Sequence, residues 1–391
     1  MVACRLLPAW TLLRLLARAR ATSLWTELKL LLKDGLIPML RPANWSAAQV
    51  TPEAGDIKHN PQPPALFQLV TGYWQSQAIY VAAKLSLADL LKDGPKSCAD
   101  LAALTGADEQ SLFRLMRALS SVGVFVRVKD DQFAMSKLGE SLQSNVPGSM
   151  RAMVMTIGEI HYQAWGNLLH SIRTGLPAFN TAFGTGLFDY LQRDPKSADT
   201  FNNGMTDLSS MLAYAVLLAY DFSGISSLID VGGGQGKFLR TVLELNQDMK
   251  GTVFDMPSTI ETGKQRLNGN PCGGRYSTIA GNFFDLVPAG ADAYILSGVI
   301  HDWDDDHGVR ILKNCRRAMA ANARLLLVEM VVPEEDGNCF SKLLDLNMLV
   351  MTGGRERTQS EFGALFDAAG YKLTRVVSTL APQSVIEAIP S

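Results

Sequence analysis

Cysteine is scarce in this chain: five residues in 391, at 4, 98, 272, 315 and 339, with no CxxC pair. That pattern argues against a disulfide scaffold or a zinc ribbon and points to a reducing compartment. An excess of one charge is also lacking. Lys plus Arg number 36 and Asp plus Glu 38, a formal net charge of −2. A globally basic nucleic-acid coat and an acidic, halophile-like shell are thereby excluded. No stretch reaches the roughly 18 uninterrupted apolar residues of a membrane-spanning helix; Arg14 interrupts the apolar segment from Leu6 to Leu16. No internal repeat is present. Against these absences stand 47% hydrophobic and 19% charged residues, enough apolar material for a large core and too much for disorder throughout. The length suits two or three domains.

The near-neutral total conceals an uneven distribution. Residues 1–50 carry seven Lys or Arg against two acids, a net charge of +5, so the remainder is −7. The first 26 residues hold four Arg and no acid, with Leu and Ala between them. This is the composition of a transit peptide or a membrane-surface helix, with a mis-chosen start codon as the alternative. Membrane contact through residues 1–40 is therefore considered beside a cytoplasmic location. Pro and Gly then punctuate the chain (Gly35, Pro38, Pro42, Pro52, Gly55, Pro61, Pro63, Pro64), and 41–64 reads as a linker.

Beyond it the spacing of Leu66, Leu69, Val70, Tyr73, Trp74 and Gln77 predicts an amphipathic helix, and Ala78 to Leu91 a second one. Ser97-Cys98-Ala99-Asp100 resembles a capping box with Asp in the acid position. Thr105-Gly106 closes that helix, Asp108 to Val122 forms another, and Val124–Val126 with Gln132–Ala134 forms a hairpin. Helix, turn, helix and hairpin make a winged-helix layout. Residues 90–140 contain seven Lys or Arg and seven Asp or Glu. A net charge of zero weighs against phosphate contacts and for a packing or dimerisation domain.

Residues 145–222 are mostly helical and rich in Met and aromatics, which suits core as well as an aromatic-lined pocket. From 226 the pattern alternates strand and helix: Ser227–Val231, Lys237–Leu245, Gly251–Phe254, Ala293–Leu296, Asp306–Met319 and Arg324–Glu329. Such alternation predicts an α/β, mainly parallel, doubly wound sheet with its ligand site at the carboxyl ends of the strands.

Five motifs carry the chemistry. Asp230-Val231-Gly232-Gly233-Gly234-Gln235-Gly236 follows the first strand, where glycines let a ligand approach the backbone. Asp255 ends the next strand and suits ribose hydroxyls, or else caps a helix. Gly281-Asn282-Phe283-Phe284-Asp285 offers an amide and aromatic rings for a purine. His301-Asp302-Trp303-Asp304-Asp305-Asp306-His307 offers a general base. Its His and four Asp would also suit a divalent ion, but Asp304–Asp306 fit the acidic first turn of the next helix, and helix capping is preferred to metal. Glu329 and Glu356 are two later acids able to orient a histidine, or to stand at the surface.

The set LIDVGGGQG, FDMP, GNFF, VIHDWDD, LLLVEMVVP and GGRERT, in this order, resembles the class I S-adenosylmethionine-dependent O-methyltransferases of the caffeate and acetylserotonin (hydroxyindole) type, from about Ala65 to the end. Leu346-Asn347-Met348-Leu349-Val350 is more similar to acetylserotonin and bacterial members than to plant lignin enzymes. The resemblance implies a Rossmann-like methyltransferase domain after a winged-helix dimerisation domain, a homodimer, and a role in secondary metabolism. It implies an extension over 1–64, a dimerisation domain over 65–155 and a catalytic domain over 156–391, with a helical substrate segment at 156–222. S-adenosylmethionine would be held by Asp230, Gly232, Gly234, Asp255, Asn282 and Ser297, with Phe283 against the adenine. His301 would be the base, flanked by Glu329 and Glu356. Trp165, Phe179, Phe183, Met205, Asp302 and Asn347 would line the acceptor pocket. No metal and no nucleic acid are implied. Asn282 departs from the acid usual at its position, and an uncharged acceptor binds the adenine amino group less strongly. N- or C-methylation, or another use of the cofactor, is the alternative; retention of His301 favours a hydroxyl acceptor.

Overall fold

The computed structural model describes residues 63–266, 272–335, 337 and 339–391. The basic leader, with its transit-peptide and membrane-helix readings, and nearly all of the linker read over 41–64 lie outside the described residues. Among those described, no helix is long and apolar enough to cross a membrane. The chain divides into two compact units between Leu208 and Ser209, within the helix Pro195–Ala219.

The first unit opens with one continuous helix, Pro63–Lys84, where two were expected. No breaker separates Gln77 from Ala78, and Ala82 and Ala83 extend the helix to a left-handed Ser86 (φ 54°). A one-turn helix, Leu87–Leu90, follows. Strand β1 (Lys96–Ser97) leads into the helix Cys98–Thr105. Ser97 Oγ accepts the Asp100 N–H there at 3.1 Å. The Asp100 carboxylate accepts from the Ser97 hydroxyl rather than from the Ser97 backbone N–H, so the expected box is only half formed. Asp108 caps the helix Glu109–Ser121. Strands β2 (Phe125–Arg127) and β3 (Gln132–Met135) pair antiparallel, and β1 adds to β3. The core beneath is Leu101, Leu112, Met116, Leu119, Phe125 and Phe133.

The helices after 150 belong to the same unit by contact. Gly158 lies against the ring of Tyr80, leaving no room for a Cβ. The Tyr80 hydroxyl donates to Glu159 at 3.2 Å, and Tyr73 stacks on Tyr162. The boundary expected at 155/156 thus falls inside a packed body, because glycine and aromatic residues tie these helices back to Pro63–Lys84.

The second unit is a seven-stranded sheet in the order β6-β5-β4-β7-β8-β10-β9. Its members are β4 (Ser227–Val231), β5 (Lys250–Asp255), β6 (Tyr276–Ala280), β7 (Ala293–Ser297), β8 (Arg324–Met330), β9 (Tyr371–Ser378) and β10 (Gln383–Pro390). Strands β4 to β8 are parallel, and β10 is antiparallel to β8 and β9. The central strands are apolar nearly throughout because helices cover both faces, as a parallel sheet requires. The chain order reverses between β4 and β7, so a crevice opens at their carboxyl ends. The expected strands and helices of this unit stand within a residue or two of their predicted bounds; β6, β9 and β10 were not anticipated.

Candidate active site

Strand β4 ends in the glycine turn. Gly232 has φ +72°, and a Cβ there would lie 2.8 Å from Val299. Its position needs both the left-handed backbone and the missing side chain. Under Gly233, where a Cβ would meet the carboxylate at 2.6 Å, sits Asp230. Asp230 is fully buried, and neither of its oxygens has a hydrogen-bond partner. Burial, with the charge of Asp255 added, pushes its pKa up to about 7. An unpartnered buried carboxylate is costly, so it suits a cationic group. Asp255, at the end of β5, accepts the Gly234 N–H at 2.8 Å and the Met256 N–H at 2.7 Å, one on each oxygen. It both pins the glycine turn and keeps a lone pair on each oxygen for hydroxyls.

Asn282 and Phe283 form a loop after β6. Asn282 Oδ1 accepts the Phe284 N–H at 2.9 Å, so the amide serves a local turn as well as facing any ligand. Phe283 lies beside the glycine turn, its ring edge 3.7 Å from where a Gly232 Cβ would be, and edge-on to Trp303. Two residues not anticipated hold this loop: Asn314 donates to Phe283 O at 2.7 Å and Arg310 to Phe284 O at 3.0 Å. Both lie on the helix Asp305–Ala318. Ser297, half-buried, ends β7.

His301 stands on the short turn Ile300–Asp302 after β7. Its Nδ1 is 2.7 Å from Glu356 Oε1 and 3.7 Å from Glu329 Oε2. A carboxylate at Nδ1 assigns the proton to that nitrogen and leaves Nε2 as the basic one. Nε2 has Asp302 Oδ1 at 3.9 Å, and the position of a Gly298 Cβ at 3.7 Å. The other oxygen of Glu329 accepts the N–H groups of Val299 and Ile300 at 3.0 and 2.9 Å, fixing the start of the turn. Gly354 lies against the carbonyls of His301 and Asp302, where a Cβ would clash. Burial alone would lower the His301 pKa; the Glu329 charge, the Glu356 hydrogen bond and charge, and Asp302 outweigh it and hold the pKa well above 6.5. Burial pushes Glu329 up, and Asp302 up to about 6.

The expected helix cap is present: Asp304 Oδ1 accepts the His307 N–H at 2.9 Å and also pairs with the His307 ring. His301, Glu329 and Glu356 are compact enough to offer three metal-ligand atoms within 4.8 Å of one another. Glu356 Oε1 is engaged with His301 Nδ1 and Glu329 Oε1 with two backbone N–H groups, while Glu356 Oε2 is buried without a hydrogen-bond partner. Of the expected pocket residues, Asp302 and Asn347 lie in the second unit, Asn347 on the helix Phe340–Met351. Trp165, Phe179, Phe183 and Met205 lie in the first. Phe179 is fully buried and stacked on Phe183 at 4.4 Å, the geometry of packed core, while Trp165, Phe183 and Met205 are half-buried. Arg357, buried beside the His301 turn, was not singled out from the sequence.

Comparison with known proteins adds a family. Residues 165–372 match the model of an O-methyltransferase domain, and 67–142 that of an O-methyltransferase dimerisation domain. A phenazine O-methyltransferase of Lysobacter antibioticus is 43% identical over 330 residues, covering 84% of this chain and 97% of that protein. An 8-amino-8-demethylriboflavin N,N-dimethyltransferase of Streptomyces davaonensis is 37% identical over 303 residues, 76% and 87% of the two chains. The solved structure of human N-acetylserotonin methyltransferase with bound S-adenosylmethionine is 27% identical, with a TM-score of 0.80 over 85% of this chain and 99% of that one.

Proposed function

From a chain that belongs to the O-methyltransferase family, with both its catalytic and its dimerisation domain, we propose a methyltransferase that acts on an aromatic hydroxyl, uses S-adenosylmethionine, and takes the hydroxyl proton on His301 Nε2. When bound, S-adenosylmethionine supplies an electrophilic methyl group on a sulfonium. The chain's own residues suit it. Asp230, buried without a partner, fits an ammonium group. Asp255 keeps lone pairs for ribose hydroxyls, the glycine turn through Gly232 and Gly234 admits a close approach, Ser297 lies at the neighbouring strand end, and Asn282 and Phe283 offer an edge and a face to adenine.

The observation that carries the reading is the histidine with Nδ1 on Glu356 at 2.7 Å and Nε2 turned away from both glutamates. A phenol of pKa about 10 is mostly neutral at pH 7 and a poor nucleophile. A positioned imidazole removes its proton, and the carboxylates behind stabilise the imidazolium formed. Holding acceptor and methyl donor in line supplies further acceleration. Asp302 and Asn347, which share the second unit with His301, are assigned to the acceptor pocket. Related enzymes that methylate aromatic tricycles and indoles support an aromatic acceptor; the N-methylating relative marks the competing reading. An aromatic amine already carries a free lone pair and has less need of the base.

We assign the chain to homodimers formed through the domain at 67–142, with no nucleic-acid partner, in keeping with its balanced charge. The first experiment is turnover with S-adenosylmethionine over phenols, indoles, phenazines and amines, with His301→Ala and His301→Gln beside the wild type. Loss of general-base catalysis lowers kcat on a hydroxyl by about 10²–10⁴-fold. Wild-type rates in both variants would remove His301 from that role, and turnover confined to amines would favour N-methylation.

A further inference from the structure

Resting on His301 as the base, we propose that Arg357 is a positioning residue for the reaction: its guanidinium, latched by Asp305, clamps the turn that carries His301 and so keeps the imidazole in register with Glu356.

The Arg357 side chain is 1% exposed. A buried cation is costly unless every donor is satisfied, and here all five N–H groups find acceptors. Nη1 donates to Ile300 O at 3.2 Å and Arg355 O at 3.3 Å. Nη2 donates to Trp303 O at 2.9 Å and Asp305 Oδ1 at 2.8 Å, and Nε to the same Asp305 oxygen at 2.9 Å. Ile300 and Trp303 bracket His301 and Asp302. The carbonyl between them, His301 O, accepts the Arg355 N–H at 2.8 Å. Residues 355–357 therefore hold the turn by three carbonyls, and the middle residue of the three is Glu356, whose Oε1 meets His301 Nδ1.

The clamp is itself anchored, since Arg357 O accepts the Val332 N–H at 2.9 Å just beyond β8. The strand that supplies Glu329 thus also fixes the height of Arg357. The charged groups facing the imidazole are Glu329 from β8, Glu356, and Asp302 on its own turn. Asp345, on the helix Phe340–Met351, accepts the Glu356 N–H at 2.9 Å and holds that residue from behind. A lysine could offer three donors from one point and could not reach two carbonyls and Asp305 together.

The test compares wild type, Arg357→Lys and Asp305→Asn. Asp305 is 58% exposed in its side chain, so its amide leaves the core untouched. Four quantities are read: kcat, acceptor KM, the Kd of S-adenosylhomocysteine, and the titration of the His301 imidazole by ¹⁵N NMR, assigned through His301→Gln. Arg357→Lys is expected to lower kcat by about 10²-fold, the cost of a small misplacement. Acceptor KM and the S-adenosylhomocysteine Kd stay within about twofold. The His301 titration moves down toward the ordinary imidazole range as the Glu356 contact loosens. Asp305→Asn moves both readouts the same way by a smaller step. A lowered melting temperature with kcat and the titration unchanged would make Arg357 merely structural and overturn the proposal. Should Arg357→Lys fail to fold cooperatively, Asp305→Asn decides by the same two readouts, unchanged values overturning it. If His301→Gln keeps the wild-type rate, the base assignment fails instead, and the titration still reports whether Arg357 sets the imidazole's surroundings.

Discussion

Glu356 and Glu329 approach the same imidazole nitrogen at 2.7 and 3.7 Å, yet they hold it differently. Glu356 accepts the hydrogen bond of the Nδ1–H; Glu329 is tied to two backbone N–H groups and acts chiefly through charge and through the turn. Both favour the imidazolium and raise the His301 pKa well above 6.5. The imidazolium must lose a proton before it can act as the base. We therefore expect kcat/KM to climb with pH through the raised His301 pKa, well above 6.5, and Glu356→Gln to shift that limb to lower pH while lowering the plateau. A limb unmoved by Glu356→Gln would belong to another group. At Asn282, Oδ1 already accepts the Phe284 N–H, and the other end of the amide carries donors. Asn282→Asp restores a second acceptor for the adenine amino group, and calorimetry should give a lower Kd for S-adenosylhomocysteine, by a few-fold at the strength of a charged acceptor. An unchanged or weaker Kd would place the adenine elsewhere. His301 and Glu329 were legible in the sequence because each lies at or just after a strand end, and Glu356 because it stands in the motif GGRERT between two helices. Arg357 was not: Arg355 and Arg357 flank Glu356 alike in sequence, but one is half-buried and the other fully buried, and only the fold separates them.

Elements tell a similar story. The parallel strands were readable because burial on both faces leaves near-continuous apolar runs bounded by glycine and acid. Strands β9 and β10 alternate with polar residues such as Arg375 and Glu387, which pair with each other at 2.9 Å across the sheet, and so carry a weaker signal. The helix Pro63–Lys84 shows the opposite failure. Its apolar spacing predicted a buried face, but Leu69 is 61% and Trp74 56% exposed within the single chain, as are their neighbours Leu66, Phe67 and Val70. So large an apolar face on a surface helix wants a partner. Since it overlaps the matched dimerisation domain, Leu69→Glu with Trp74→Glu should convert dimer to monomer in sedimentation velocity. A dimer of undiminished affinity would move the interface to another face.

Across the whole molecule, several buried groups bind protons more tightly folded than unfolded. Asp230, at about 7, and Asp302, at about 6, are acids raised above their ordinary values by burial. His301 is raised well above 6.5, largely by Glu329 and Glu356 acting against burial. These groups therefore hold more protons in the folded chain than in the unfolded one from about pH 4 up to their raised pKa values, and their contribution to stability falls as pH rises through them. Asp292 and Asp304, whose pKa values are lowered by backbone and side-chain hydrogen bonds that outweigh partial burial, contribute fully above about pH 4 and do not offset the trend. Scanning fluorimetry should give a higher melting temperature at pH 6 than at pH 8. With saturating S-adenosylhomocysteine the difference should shrink, because an ammonium group beside Asp230 favours the carboxylate in the fold. A melting temperature that rises over the same interval would contradict the placement of these groups.

The imidazole of His301 is covered on one nitrogen and open on the other, with Glu356 hydrogen-bonded at Nδ1 and Asp302 no nearer than 3.9 Å to Nε2. In reactivity terms this makes it a single-sided nucleophile. An acylating reagent such as diethyl pyrocarbonate, which modifies neutral imidazole, would add once and at Nε2, more readily as the pH rises. A bound acceptor would shield that atom while leaving the exposed His307 ring reactive, so mapping which histidines are modified separates an occupied pocket from an empty one without any turnover.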